Sequence, residues 1–477
     1  MSNAMSGAGS VAVVLFTSDL RLHDQPVLRA GLDAADAVVP LFVQDKGVAD
    51  AGFATPNRRA FLADCLRDLD AGLRERGGRL VVRSGEVVEE VCRVAAGAGA
   101  REVFVAGGVS GYAVRREARL RTALAAQGCA LRVYDGVVTA VAPGAVVPAG
   151  PGRDHFAVFT PYFRRWSALS LREPLRAPRT VSVPPGTGSE PLPSRAGIGG
   201  VSAGLAEGGE RAARSRLTAW RRTGLAGYTE GHDDLAGDAT SRLSPHLHFG
   251  TLSAAEVVHR ARAAGGPGAD AFVRQVCWRD FHHQVLAARP AAAHADYRTR
   301  HDRWRTEETA AEEIAAWRAG RTGYPVVDAA MRQLRHEGWL HNRGRLLAAS
   351  FLAKTLYVDW RIGARHFLAL LVDGDMADNQ LNWQWVAGTG TDSRPNRVLN
   401  PVVQGKRYDP EGVYVRRWVP ELRGIEGGAV HEPWRVRGRS RGPGQGAGPG
   451  GVRLDYPEPL VGLPEALARF REGRGLG

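Results

Sequence analysis

Residues Val11–Leu28 read VAVVLFTSDLRLHDQPVL: an apolar run rich in β-branched residues, a polar turn, then Pro26 opening a second stretch. A short continuous apolar run bounded by turn residues fits a strand buried on both faces. Comparable runs recur at Val38–Val43, Leu80–Arg83, Val103–Ala106 and Leu131–Tyr134. Between two of them, Phe61, Leu62, Cys65, Leu66, Leu69 and Leu73 repeat at helical spacing. Strand, helix, strand at this spacing predicts βαβ units, and so an α/β domain with a doubly wound parallel sheet over residues 10–137. Such sheets bind ligands beyond the carboxyl ends of their strands. The first strand runs into Thr17-Ser18-Asp19-Leu20-Arg21 and not a GxGxxG turn, so the fingerprint of a dehydrogenase is missing. Gly107-Gly108, after the fourth run, is too short a signal to use.

Residues 138–205 are rich in Pro, Gly and Ser around one compact segment, Phe156–Trp166, and predict an interdomain linker. Residues 206–435 predict an all-α domain. Pro325 can open a helix in which Val327, Ala330, Met331 and Leu334 share a face; Arg345–Tyr357 and Arg365–Val372 continue the pattern. Residues 436–477 predict a flexible basic segment and tail, with Gly, Pro and Arg crowded into Arg435–Arg453. The opening Met1-Ser2-Asn3-Ala4, ahead of Met5, reads as a cloning remnant and carries no signal-peptide pattern.

The 477 residues suit two to four domains at roughly 150 residues each. With 44% hydrophobic and 24% charged residues, a globally disordered chain is excluded. No stretch approaches the ~18 uninterrupted apolar residues of a membrane span. Cys65, Cys92, Cys129 and Cys277 lie far apart with no CxxC pair, which argues against a disulfide scaffold or zinc ribbon and fits a cytoplasmic protein. The net charge of +13 is nearly all arginine, since Lys46, Lys354 and Lys406 are the only lysines. A polyanionic partner and a merely solvated basic surface both fit that charge.

Three short constellations could carry chemistry. Thr240-Ser241-Arg242-Leu243-Ser244 ahead of Pro245 offers hydroxyls, a guanidinium and backbone amides, either as a phosphate cradle or as a plain helix cap. Asp373-Gly374-Asp375 offers paired carboxylates for acid–base work, a metal, a cofactor ring or ribose, or simply a turn with two caps. In Trp383-Gln384-Trp385 the two indoles point about 200° apart on a helix, so they meet different surroundings, a ligand on one side and the core on the other, or core alone.

Taken together with FTPYFRRW (Phe159–Trp166), TSRLSPHLHFG (Thr240–Gly250), TGYPVVDAAMRQL, GWLHNR, DGDMADNQLNWQW and NPVVQGKRYDP between Thr322 and Leu422, the chain resembles the cryptochrome/photolyase family. The resemblance runs from Val11 to about Val461 and is nearest to the photolyases that repair cyclobutane pyrimidine dimers. It implies an α/β antenna lobe, a helical FAD-binding lobe, and duplex DNA carrying pyrimidine dimers as partner, with the protein acting as a cytoplasmic monomer. Tyr228, Thr240, Ser241, Arg242, Leu243 and Ser244 match the FAD phosphate-binding stretch. Arg345 and Asp373 match an ion pair beside the ring, and Asp373 and Asp375 match residues bonding the flavin edge and ribose. Asn379 matches the side chain facing the nitrogen at position five. A neutral amide there can accept a hydrogen bond from a reduced ring, where a carboxylate would add charge beside an anion.

For the lesion, Trp278 and Trp385 match two indoles enclosing a flipped dimer, and Asn342 matches an amide contacting its bases. Extruding a dimer costs less than extruding intact bases, because it already stacks poorly. Arg343 and Arg397 match basic residues near the DNA backbone. Trp383, Trp360 and Trp304 match a tryptophan chain that photoreduces the flavin. A second, antenna chromophore is expected, a deazaflavin in preference to a folate, from Phe16–Asp24. The sequence departs from the pattern in three places. Gln275 stands where dimer photolyases commonly carry Glu; Leu346 replaces a common Met; and Trp304 and Trp317 are spaced more widely than expected, which implies an insertion within Thr306–Glu313. Gln275 also occurs in (6-4) photolyases, but the His pair of that branch would fall at Asn342 and Leu346. A cryptochrome without repair activity is the alternative function.

Overall fold

The computed structural model describes residues 9–439 and 455–476. The chain forms two compact units: Met1–Val201 with Ala206–Ala226 and Ser241–Pro290, and Ser202–Leu205 with Gly227–Thr240 and Ala291–Gly477.

The first unit holds a parallel five-stranded sheet in the order β3-β2-β1-β4-β5. Its strands are β1 (Val11–Phe16), β2 (Ala37–Asp45), β3 (Val81–Gly85), β4 (Glu102–Ala106) and β5 (Ala130–Tyr134), each within two residues of its apolar run in the sequence. Helices cover both faces, which is why β1 is apolar at every position: from Ala12 to Phe16 it is buried throughout. The order reverses between β1 and β4, as in doubly wound sheets. The helix Pro56–Arg74 buries Phe61, Cys65, Leu66, Leu69 and Leu73 along one stripe, with Leu62 at its margin. Gly108 donates its N–H to Glu117 (3.0 Å), and a Cβ there would lie 2.6 Å from that of Ala113, so this glycine serves close packing.

Of the expected linker, residues 138–201 cluster with the first unit and Ser202–Leu205 with the second. Ser189 Oγ accepts from Val82 N–H (2.9 Å), Glu190 N–H donates to Val82 O (2.9 Å), and Val181 N–H donates to Arg76 O (2.8 Å). The stretch thus covers the unpaired edge of β3, a role that composition alone could not announce. The unit also takes in Ser241–Pro290, so the helix Pro267–Ala288 lies with the sheet and not with the helices that follow.

The second unit is helical. The helix Pro325–Glu337 buries Val326, Val327, Ala330, Met331 and Leu334. Asn342–Ser350 runs into a π-helical turn at Phe351–Thr355, where the sequence pattern reads as unbroken helix. Trp360–Leu370 and Met376–Ala387 complete the centre. The expected tail holds a further helix, Leu463–Arg474, whose Ala466 and Phe470 are buried; Tyr456 O–H ties the segment before it to Asp328. Most of the expected flexible segment Arg435–Arg453 lies outside the described residues, as does the Met1-Ser2-Asn3-Ala4 stretch read as a cloning remnant. Among the described residues no helix is long and apolar enough to cross a membrane.

Candidate functional site

In the second unit, the helix Met376–Ala387 starts at Asp375, whose Oδ1 accepts from Asp378 N–H (3.0 Å). Just before it, Asp373 is buried. Arg345 donates Nη2 to Asp373 Oδ2 (2.7 Å) and Nε to Leu340 O (2.8 Å), so the guanidinium is held from two sides. Asp373 Oδ1 is buried and accepts from no protein group. Leaving a buried acceptor unfilled costs about 1–3 kcal/mol, more when it is charged. A ring imide N–H or a ribose hydroxyl would fill it, so the residues fit FAD. Thr240 Oγ1 is a second buried atom left open. Asn379 donates Nδ2 to Ala364 O (3.2 Å) and Gln380 Oε1 (2.9 Å), which leaves its Oδ1 as the acceptor the resemblance asks for.

In the first unit, Arg242 holds a left-handed backbone (φ +51) directly ahead of the short helix Ser244–His248. Leu243 is buried and anchors the turn, Ser244 is exposed, and Ser241 O accepts from Arg216 Nε (2.7 Å). Leu243 at the cap position makes no side-chain cap bond; just ahead of the helix, Ser241 Oγ accepts from Leu243 N–H (3.4 Å). Tyr228, in the second unit, is buried.

The indoles of Trp383 and Trp385 do meet different surroundings. Trp383 is buried against Phe367 (5.0 Å) and edge-on to Trp317 (6.1 Å). Gly363 lets the two helices close on it, since a Cβ there would lie 2.1 Å from Trp383 Cη2. Trp360 sits one turn before Gly363 on the same helix face and donates Nε1 to Asp296 (2.9 Å). Gln384 between the indoles is wholly buried. It donates to Ala292 O (2.7 Å) and accepts from Tyr297 N–H (2.7 Å), fixing the rotation of the helix. Trp304 lies beside a parallel bridge between Arg305 and Val358, ahead of the suspected insertion, which forms a tight turn at Thr306–Thr309.

The residues that the resemblance matches to lesion contacts divide between the units. Gln275 and Trp278 stand one turn apart on the helix Pro267–Ala288, Gln275 exposed and Trp278 half-buried with one face stacked flat on Phe159 (3.8 Å). That stack gives Phe159 of the FTPYFRRW motif its place, while Trp166 of the same motif donates Nε1 to Asp280 (2.9 Å). In the second unit Asn342 is exposed at a helix start, and Trp385 is half-buried with the Arg397 guanidinium 5.2 Å over its ring. Arg343 is engaged by Asp233 (2.6 Å) and covers Tyr408, so its charge is partly spent inside the protein. His341 is buried as a helix cap, its Nδ1 accepting from Arg343 N–H (3.1 Å). Sequence reasoning missed Asp296, which orients Trp360, and named Trp317 only for its spacing from Trp304, without its role in backing Trp383.

A family described as the FAD binding domain of DNA photolyase matches residues 272–474, and one described as DNA photolyase matches residues 12–179. The chain belongs to the DNA photolyase family. It is 67% identical to the deoxyribodipyrimidine photo-lyase of Streptomyces griseus over 98% of this chain and 100% of that one. The structure is similar to a bacterial class III photolyase from Agrobacterium tumefaciens (TM-score 0.88, 31% identity, covering 100% and 99% of the two chains). It is also similar to an archaeal photolyase from Sulfolobus tokodaii with two FAD molecules (TM-score 0.82, 28% identity, 98% and 100%). In this photolyase, the FAD-binding match covers Arg345, Asp373, Asp375 and Asn379.

Proposed function

We propose that this photolyase repairs DNA by light, splitting cyclobutane pyrimidine dimers. The observation that carries the reading is the contrast among its tryptophans. Trp166, Trp317, Trp360 and Trp383 are buried, while Trp278 and Trp385, like Trp304, Trp418 and Trp434, keep part of their surface open, and these two do so at the positions assigned to the lesion.

Reduced FAD, when bound, supplies the electron that opens the dimer's ring and takes it back, with no net redox change. The chain's part is to hold and orient. Tyr228, Thr240, Ser241, Arg242, Leu243 and Ser244 take the phosphates; Asp373 and Asp375 bond the ring edge and ribose; Arg345 holds Asp373 in place; Asn379 faces the central ring. Trp278 and Trp385 stack on the flipped dimer, Gln275 and Asn342 bond its bases, and Arg397 steadies the backbone, with Arg343 a weaker contributor because of Asp233. Trp304, Trp360 and Trp383 pass electrons inward. A deazaflavin antenna in the first unit, a cytoplasmic location and a monomeric state complete the reading. The location is supported by four free, buried cysteines. The absorption spectrum of the purified protein tests the antenna: FAD bands with a second chromophore, or FAD alone.

Under illumination with reduced FAD, cyclobutane dimers should disappear while (6-4) photoproducts persist. Repair of (6-4) lesions at a comparable rate overturns the substrate, and repair of neither favours a cryptochrome. Trp385→Ala should lower affinity for dimer-containing DNA by about one to two decades, since stacking on a base is worth roughly 1–3 kcal/mol.

A further inference from the structure

Tyr357 occupies a place that neither the motifs nor the flavin site explains. Arg305 N–H donates to Tyr357 O (3.0 Å) and Asp359 N–H to Arg305 O (3.1 Å), pairing the chain after Trp304 with the chain before Trp360. That register lays the Tyr357 ring on the Trp304 indole, centroids 4.7 Å apart and planes 28° from parallel. The tyrosine is buried, and the backbone of Gly473 closes on its ring: a Cβ there would lie 2.0 Å from Tyr357 Cε1. Its backbone is left-handed (φ +55), a conformation that costs a bulky residue of order 1–3 kcal/mol. The packing around it therefore overrides a local preference to keep this side chain on Trp304.

The phenol is also provided with a base. Tyr357 O–H donates to Asp302 Oδ1. The Asp302 side chain is wholly buried, its Oδ2 accepts from no protein group, and Arg474 Nε lies 2.7 Å from Oδ1. Burial raises the Asp302 pKa above the usual carboxylate value against the pull of Tyr357 and Arg474, so the carboxylate is a stronger base than one in water.

We propose that Tyr357 is the last electron donor of the tryptophan chain, giving its electron to oxidised Trp304 and its phenolic proton to Asp302. The step rests on the assignment of Trp304 made above. The oxidant is the tryptophan radical cation left at Trp304 when light drives an electron inward. One electron moves from the phenol to the indole, which returns to its neutral closed-shell form. The O–H bond breaks, a new O–H forms on Asp302, and a neutral phenoxyl radical remains. A phenol becomes a strong acid on losing an electron, so the proton leaves with it. The hole is then held as a neutral radical, and its return requires the proton to come back as well. The charge separation lasts longer for that reason.

Transient absorption and electron paramagnetic resonance on the FAD-loaded protein test this. After a flash, the tryptophan radical cation should decay as a phenoxyl signal rises, more slowly in D2O. Tyr357→Phe keeps the ring stack and should abolish the phenoxyl signal, with a shorter-lived charge separation but an unchanged melting temperature and FAD content. Asp302→Asn keeps an acceptor but is a far weaker base, and should slow phenoxyl formation by at least about tenfold. A Trp304 radical that decays in the wild type without a phenoxyl, or a phenoxyl surviving in Tyr357→Phe, overturns the tyrosine step alone. Absence of any Trp304 radical overturns the chain assignment and the tyrosine step with it.

Discussion

Two kinds of buried polar group can be compared across the two units, those whose bonds are closed by the protein and those left with an open atom at a site of expected chemistry. In the first, Arg21 is buried and donates to three carbonyls, those of Asp24 (3.0 Å), Gly250 (3.0 Å) and Val137 (3.1 Å). Asp280, equally buried, accepts from Val141 N–H (2.9 Å), Ala140 N–H (3.3 Å) and Trp166 Nε1 (2.9 Å). These groups close on one another and tie distant stretches of chain together. In the second unit Asp373, Thr240 and Asp302 each keep one buried atom without a protein partner. Groups of the first kind build the fold. Groups of the second kind stand where a ligand or a moving proton is expected, and their cost is met only when it arrives.

The contrast breaks most plainly at Asp280. Asp280→Ala strands the Trp166 indole N–H and two backbone donors in the interior, and should cost about 3–5 kcal/mol of stability in a urea titration. A loss under about 1 kcal/mol would mean that the first unit does not depend on its closed network.

His246 sharpens the same side. It is buried with Nδ1 3.0 Å from Thr251 Oγ1, and burial first, then Arg216, lowers its pKa from 6.5 to about 4. A depressed folded pKa means stability that is complete above 6.5 and is lost as pH falls toward 4, because the unfolded chain binds the proton first. A fall from 6.5 to about 4 corresponds to about 3 kcal/mol over that window. His246→Gln should flatten the slope of unfolding free energy between pH 6.5 and 4; an unchanged slope would remove His246 as its source.

Asp373→Asn tests the other side. The amide still accepts from Arg345, so the flavin-free protein should change by less than about 1 kcal/mol. FAD affinity should fall by roughly one to two decades, the worth of a hydrogen bond to a charged group. Equal losses in both measurements would place Asp373 among the fold-building groups.

The same difference governs how much could be read from the sequence. The sheet was legible because each strand buries both faces, and an apolar run such as VAVVLF has no other good use. The edge cover at Val181–Glu190 was not, because its work is done by backbone groups and Ser189 Oγ, which any polar loop carries. Asp373, Asp375 and Asn379 were singled out through their ordered motif, not through any physical signal of their own. The π-helical turn after Ser350 and the helix at Leu463–Arg474 escaped because both depend on partners far along the chain. Tyr357 escaped for the same reason: nothing in LYVDW says that its ring lies on Trp304, some fifty residues earlier.

The smallest expected effect separates the two arginines assigned to the DNA backbone. Arg343 is already paired with Asp233 at 2.6 Å, whereas Arg397 has no carboxylate partner among the described residues and rests over the Trp385 ring. Each phosphate neutralised by a free cation releases counterions and adds about 0.9 to the slope of log affinity against log salt. Binding to undamaged duplex should therefore weaken as salt rises. Arg397→Gln should reduce the slope by nearly that amount, and Arg343→Gln by distinctly less, because Asp233 already offsets much of its charge. An equal reduction would mean that Arg343 leaves Asp233 when DNA arrives, and that the second unit opens an ion pair to bind. A salt-insensitive wild type would remove phosphate contacts as the source of its affinity altogether.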